Sequence, residues 1–118
     1  MLVVDSSVWI DFFNARDTAA RGELRRLLHD GRSRVVVPDL VLFEVLRGFR
    51  HERAMRQARL LLLSLSVERC GGEDLALAAA EHYRGLRTHG VTVRSAIDTL
   101  VAAFCIEHNY LLLHSDRD

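Results

Sequence analysis

Lysine is missing altogether from this chain of 118 residues: all sixteen basic side chains are Arg. A GC-rich genome would account for that bias, but its consequence is chemical. Without a Lys amine there is no Walker-type phosphate loop and no Schiff-base catalyst. Cysteine is nearly missing too, because Cys70 and Cys105 are too few and too far apart for a disulfide framework or a zinc site. No apolar run approaches the ~18 residues of a membrane span, and the longest lies around Leu60 to Leu63. The N-terminus has no basic stretch followed by an apolar core, so secretion is not indicated. Formal net charge is zero, which denies the whole molecule the basic footprint usual in nucleic-acid binders. A reducing cytoplasm is the default location, with no membrane partner.

The chain has the length of one domain, and its 49% apolar and 27% charged residues are ordinary globular composition. Leu2 to Val4, Val35 to Val37, Ser66 to Glu68 and Tyr110 to Leu113 read as short strands, the first two dominated by β-branched residues. Helices are expected between them. One is capped by Ser6-Ser7, one stops near Asp30-Gly31, and one starts at Pro38-Asp39 and runs to about Gly48-Phe49. Others cover roughly Glu52 to Leu63, Glu73 to Arg87, and Ala96 to His108. Ser95-Ala-Ile-Asp98 fits a capping box, and Asn109 can supply a left-handed terminus. Strands alternating with helices argue for a single α/β domain over residues 1–118 with a central parallel sheet flanked by helices.

Four acids stand where apolar or small residues would serve folding better. Asp5 ends the opening run, Glu44 interrupts Leu40 to Leu46, Asp98 stands between Ile97 and Leu100, and Asp116 follows the closing run. A carboxylate taken out of water costs several kcal/mol unless it is paired or bound to a metal. In parallel α/β sheets ligands collect beyond the carboxyl ends of the strands, and Asp5 and Asp116 each lie at or just past such an end. If those strands are neighbours, both acids enter one crevice. Hard oxygen ligands select Mg²⁺ or Mn²⁺ over zinc, and a cation so held suits phosphodiester hydrolysis.

Each acid also has a purely structural alternative. Asp98 fits a capping box without any metal, Asp5 can cap the next turn, and Asp116 and Asp118 can be solvated turn residues. Glu44 is the hardest to explain away.

The run Val3-Val4-Asp5-Ser6-Ser7-Val8-Trp9-Ile10 resembles the opening of PIN-domain ribonucleases, particularly the VapC toxins of bacterial toxin–antitoxin pairs. Leu42 to Gly48 around Glu44, Val93 to Ala103 around Asp98, and Leu112 to Asp118 are similar to that family's later acidic motifs, in order. The resemblance implies a Rossmann-like PIN fold, Mg²⁺- or Mn²⁺-dependent endoribonuclease activity, a cognate VapB-type antitoxin and a homodimer. It places Asp5, Glu44, Asp98 and Asp116 in the acidic cluster, Ser7 beside the metal, and Asp118 as an outer acid. Members of the family continue with another helix, so this chain reads as truncated at its C-terminus.

Arg50, Arg53 and Arg56 would share a third of a helix's circumference if their helix began early enough, and could grip RNA phosphates. A solvated face paired with Glu52 is the alternative. Arg94, beside the acid motif, is the better phosphate ligand. The six His show no metal-ligand spacing, and only His114 lies near the acids. Trp9, Phe12 and Phe13 read as core or dimer contacts. Among other functions, a haloacid-dehalogenase-like phosphatase would need Asp at position 7, where Ser stands, and a receiver domain would need Lys. A non-catalytic metal- or partner-binding PIN-like module remains the second reading.

Overall fold

Strand β1 (Leu2–Val4) lies inside a parallel sheet, with β2 (Val35–Pro38) on one side and β4 (Leu111–Leu113) on the other. A computed structural model describes residues 1–90 and 95–114. Strand β3 (Ser66–Glu68) pairs with β2, giving the order β3-β2-β1-β4. Helices α1 (Ser6–Phe13) and α2 (Ala19–Asp30) connect β1 to β2, and α3 (Asp39–Leu46) and α4 (Glu52–Leu63) connect β2 to β3. Helices α5 (Glu73–Thr88) and α6 (Ala96–His108) then lead to β4. This is the expected parallel α/β architecture.

The strands form where a parallel sheet needs them. Val3, Val4, Val36 and Val37 are fully buried, so the inner strands show no apolar–polar alternation, as befits a sheet covered on both faces. The outer strands β3 and β4 are only partly covered. A single cluster of buried residues joins these valines to Val8, Trp9, Leu24, Leu62, Val101 and Phe104. Trp9 belongs to that core, stacked on Phe13 and edge-on to Phe12, which settles its role in favour of packing.

Helix ends follow the chain's capping chemistry. Thr18 Oγ1 accepts from the Arg21 amide at 3.1 Å, and Ser95 Oγ accepts from the Asp98 amide at the same distance. Gly31 takes a left-handed conformation (φ 69°) after α2. Asn109 does so after α6, and the amides of Asn109 and Tyr110 return to the carbonyls of Ile106 and Cys105, a Schellman closure.

Two helix boundaries differ from the sequence reading. Helix α1 begins at Ser6 with Asp5 in the N-cap position, so Ser6 and Ser7 lie inside the helix rather than before it. Helix α3 ends at Leu46, because the amides of Gly48 and Phe49 turn back three residues to Val45 and Leu46. Helix α4 starts at Glu52, as read from the sequence, with His51 as its cap; the earlier start that the Arg50–Arg53–Arg56 stripe required does not occur, and Arg50 lies outside the helix. Arg56 instead pairs with Glu52 at 3.3 Å.

Phe104, 1% exposed, holds α6 to the start of β4 through its ring contact with Tyr110. Phe104→Ala should cost about 3–5 kcal/mol. The check is a lowered denaturant midpoint with an unchanged slope. A midpoint within error of the parent would show that Phe104 does not anchor the core.

Candidate active site

The sheet's order fixes where a ligand can lie. The chain moves outward from β1 through β2 to β3, then returns to the opposite side of β1 for β4. The reversal between β1 and β4 is a topological switch point, where α/β sheets bind ligands beyond their carboxyl ends. Asp5 stands at that point. Its amide donates to the carbonyl of Leu113, the last residue of β4, at 2.9 Å, and its carbonyl accepts from the amides of Val8 and Trp9. The main chain of Asp5 is therefore held by β4 on one side and by α1 on the other. Its partly buried carboxylate accepts a 2.6 Å hydrogen bond from Ser7 Oγ. The side chain at Asp5 makes no cap bond to the helix, so the carboxylate is not consumed by capping.

Glu44 is carried by α3, which starts directly at the carboxyl end of β2 and packs against both α1 and α6. Its side chain is 16% exposed, and Arg47 approaches it at 3.8 Å while lying over the Phe43 ring. Asp98 occupies the first turn of α6, positioned by the Ser95 cap. Helix α6 turns into β4 through Asn109, so its first turn faces away from the amino end of that strand. Asp116, Asp118 and Arg94 lie outside the described residues. Arg50 and Arg53 are exposed, and His114 follows β4 at the surface.

Among the described residues, no three His, Cys, Asp or Glu side chains converge closely enough to hold an ion. The carriers of Asp5, Glu44 and Asp98 pack together, but their carboxylates do not close a cage by themselves. The donor set fits a hard cation that keeps several waters and shares phosphate oxygens, and it does not fit zinc.

Sequence reasoning passed over four features. Asp11, 1% exposed, is a buried acid within Trp9-Ile10-Asp11-Phe12-Phe13, with Arg16 at 3.9 Å. The signal that singled out Glu44, an acid inside an apolar run, was equally available there. Cys105 proves to lie close enough to Asp5 to feel its charge. Asp39 accepts from the Cys70 amide at 2.8 Å, tying the chain after β3 to the start of α3. A groove of about 450 Å³ runs between α5 and α6 with Asp98 in its wall. None of these last three has a sequence-local signature.

Burial pushes the Cys105 thiol up to about 11, helped by the Asp5 charge. Burial likewise pushes Cys70 up to about 12, helped by Asp39 and then by Cys105. Both are inert thiols rather than nucleophiles.

The PIN domain family profile matches residues 2–118. A VapC ribonuclease of Mycobacterium bovis is 32% identical over all 118 residues, which span 88% of that relative, and ribonuclease VapC11 of Mycobacterium tuberculosis matches equally. Among solved structures, the sarcin–ricin loop cleaving toxin VapC20 of Mycobacterium tuberculosis superposes with a TM-score of 0.68 at 26% identity, over 93% of this chain and 85% of that one. VapBC2 of Rickettsia felis, bound to a promoter DNA fragment, superposes with a TM-score of 0.75 at 16% identity, over 94% and 84%.

The raised thiols make a pH prediction. An unfolded Cys ionises near about 8.5, so the neutral-thiol contribution is complete below that pH and is lost as pH rises towards about 11 for Cys105 and about 12 for Cys70. Denaturant midpoints measured from pH 7 to 11 should fall above about pH 8.5, and less steeply in Cys105→Ala. An identical fall in that variant would remove Cys105 from the account.

Proposed function

Because the chain belongs to the PIN domain family, we propose that it is a metal-dependent endoribonuclease acting as the toxin of a toxin–antitoxin pair. The observation that carries this reading is Asp5 at the switch point, with its carboxylate oriented by Ser7. The full-length likeness to VapC ribonucleases supports it.

Asp5 and Asp98 would hold Mg²⁺ or Mn²⁺, with Glu44 and Asp116 completing the acidic set and Asp118 outside it. The cation, when bound, supplies a Lewis acid for a phosphoryl oxygen and a bound water of lowered pKa. The protein's own residues do the positioning. Ser7 donates to Asp5 Oδ2 and leaves the other oxygen free of that bond, which sets the direction in which the carboxylate presents its lone pairs. Glu44 is suited to orienting the attacking water, since its side chain is 16% exposed and Arg47 approaches it only to 3.8 Å. Arg94 is assigned to a substrate phosphate, as are the exposed Arg50 and Arg53. No helix among the described residues is long and apolar enough to cross a membrane.

A VapB-type antitoxin is the proposed partner, and a homodimer the proposed assembly. Toxin–antitoxin complexes from Rickettsia felis and Klebsiella pneumoniae share this fold, with TM-scores of 0.75 and 0.72.

Single-stranded RNA incubated with the full chain should be cut in Mg²⁺ or Mn²⁺ and left intact in excess EDTA. Asp5→Asn or Asp98→Asn should lower the rate about 100-fold or more. Ser7→Ala should lower it about tenfold, the cost typical of losing a group that orients a ligand. Complete cleavage in EDTA would overturn the reading. Mn²⁺ binding without turnover would favour the non-catalytic module.

A further inference from the structure

Helix α3 leaves one aromatic ring in water. Phe43 is 58% exposed, whereas every other Phe, Tyr and Trp among the described residues is buried or partly buried. A lone exposed apolar residue is ordinary. The neighbours of this one are not. Arg47 follows one turn later, the spacing at which helical side chains meet, and its amide closes that turn on the Phe43 carbonyl at 3.0 Å. Its guanidinium lies over the Phe43 ring, with Cζ 5.7 Å from the centroid. Glu44, the acid suited to orienting the attacking water, directly follows Phe43 in the chain, so the two Cα atoms are about 3.8 Å apart.

The guanidinium is available as well as positioned. Arg47 Nη2 stands 3.8 Å from Glu44 Oε2, too long for a hydrogen bond, and the side chain is 60% exposed. Its forked N–H donors therefore remain for an anion, and a phosphate is what such a fork grips in two places. The surface that follows has the same sign. From Arg47 to Arg56 the chain carries four exposed Arg against one acid, Glu52, which pairs with Arg56, although the whole molecule is neutral. Exposed π surface beside positive charge is the combination that holds single-stranded nucleic acid, because every base has a face to stack and every nucleotide a phosphate. The centre of a protein-docking face is depleted of charge, whereas this ring is overlain by one.

We propose that Phe43 and Arg47 grip one nucleotide of single-stranded RNA beside the acids, the ring stacking on its base and the guanidinium binding its phosphate. The proposal rests on the ribonuclease reading for the identity of the nucleic acid, and it adds to that reading two residues that touch the substrate. The grip is blind to sequence, since stacking and phosphate binding read no base edge. What it supplies is register: a nucleotide held on Phe43 sets the strand one residue from Glu44. Beyond Arg47 the strand meets the exposed Arg50 and Arg53 on the connection to α4 and its first turn.

Fluorescence anisotropy of a labelled single-stranded RNA with the full chain in EDTA tests the grip without cleavage, and thermal melting of each variant is the folding control. Phe43→Leu keeps apolar bulk at an exposed position and suits a helix, so it should melt like the parent. It should bind RNA about tenfold more weakly with an unchanged salt dependence, and Phe43→Trp should bind at least as tightly as the parent. Arg47→Gln should also bind more weakly, and should lower the slope of log affinity against log salt by about 0.7, the share of one phosphate contact on a single strand. Parent-like binding by Phe43→Leu or Arg47→Gln, a parent-like salt slope in Arg47→Gln, an equal loss in Phe43→Trp, or no binding by the parent overturns the proposal. So does a Phe43→Leu variant that keeps RNA affinity but loses self-association in size-exclusion chromatography, which assigns the ring to a second copy of the chain. Cleavage in Mn²⁺ is read separately. Binding that depends on both residues, without cleavage by the parent, keeps the grip and overturns the ribonuclease reading. Cleavage by a parent whose binding ignores both residues does the reverse.

Discussion

The hydrogen bond from the Asp5 amide to the Leu113 carbonyl is the constraint on which the proposed site depends. It is the last rung of the β1–β4 ladder, in which Val4 pairs with Leu113. That register sets the first and last parts of the described chain side by side at the carboxyl edge. A slip of one residue would turn Val3 and Val4 to opposite faces and carry Asp5 away from the switch point. Both valines are fully buried, so the slip would expose or misplace core surface on either side of the sheet. The same apolar burial that stabilises the sheet therefore aims a carboxylate.

Helix α6 extends that constraint to the rest of the molecule. Phe104 and Val101 face the core, Ser95 and Asn109 fix the two ends, and Asp98 sits in the first turn. The small residues Ala102 and Ala103 face α5 across the groove, opposite Gly85. Large side chains at those positions would let the helices meet through a filled seam. Small ones leave space beside an acid. Core packing, a candidate catalytic position and a groove wall are thus three faces of one helix.

Much of this was legible in the sequence because local chemistry dictated it. The valine runs had to be buried strands, and Ser95, Gly31 and Asn109 could end helices in few other ways. What escaped detection depended on geometry beyond a turn. The end of α3 was misplaced because the apolar pattern continues to Phe49, while the backbone tightens after Leu46. The arginine stripe failed for a similar reason: charge spacing predicts a shared face only when the residues belong to one helix, and Arg50 precedes α4. The proximity of Cys105 to Asp5 joins residues one hundred positions apart, and nothing local encodes it.

Asp11 and Glu44 show why buried acidity alone does not define a site. Each is the sixth residue of the helix that follows an inner strand, and each is embedded in large apolar neighbours. By sequence they are equivalent. In the fold, the Asp11 side chain is 1% exposed, whereas Glu44 is 16% exposed. A phosphodiester and a hydrated cation need a path to the carboxylate, and an acid sealed to 1% offers none. The energetic cost of taking a charge out of water is higher at the more deeply sealed Asp11, so that cost is not what marks function. Access does, and it is decided by how α1 and α3 rotate against their neighbours, a property of packing that no periodicity in either helix records.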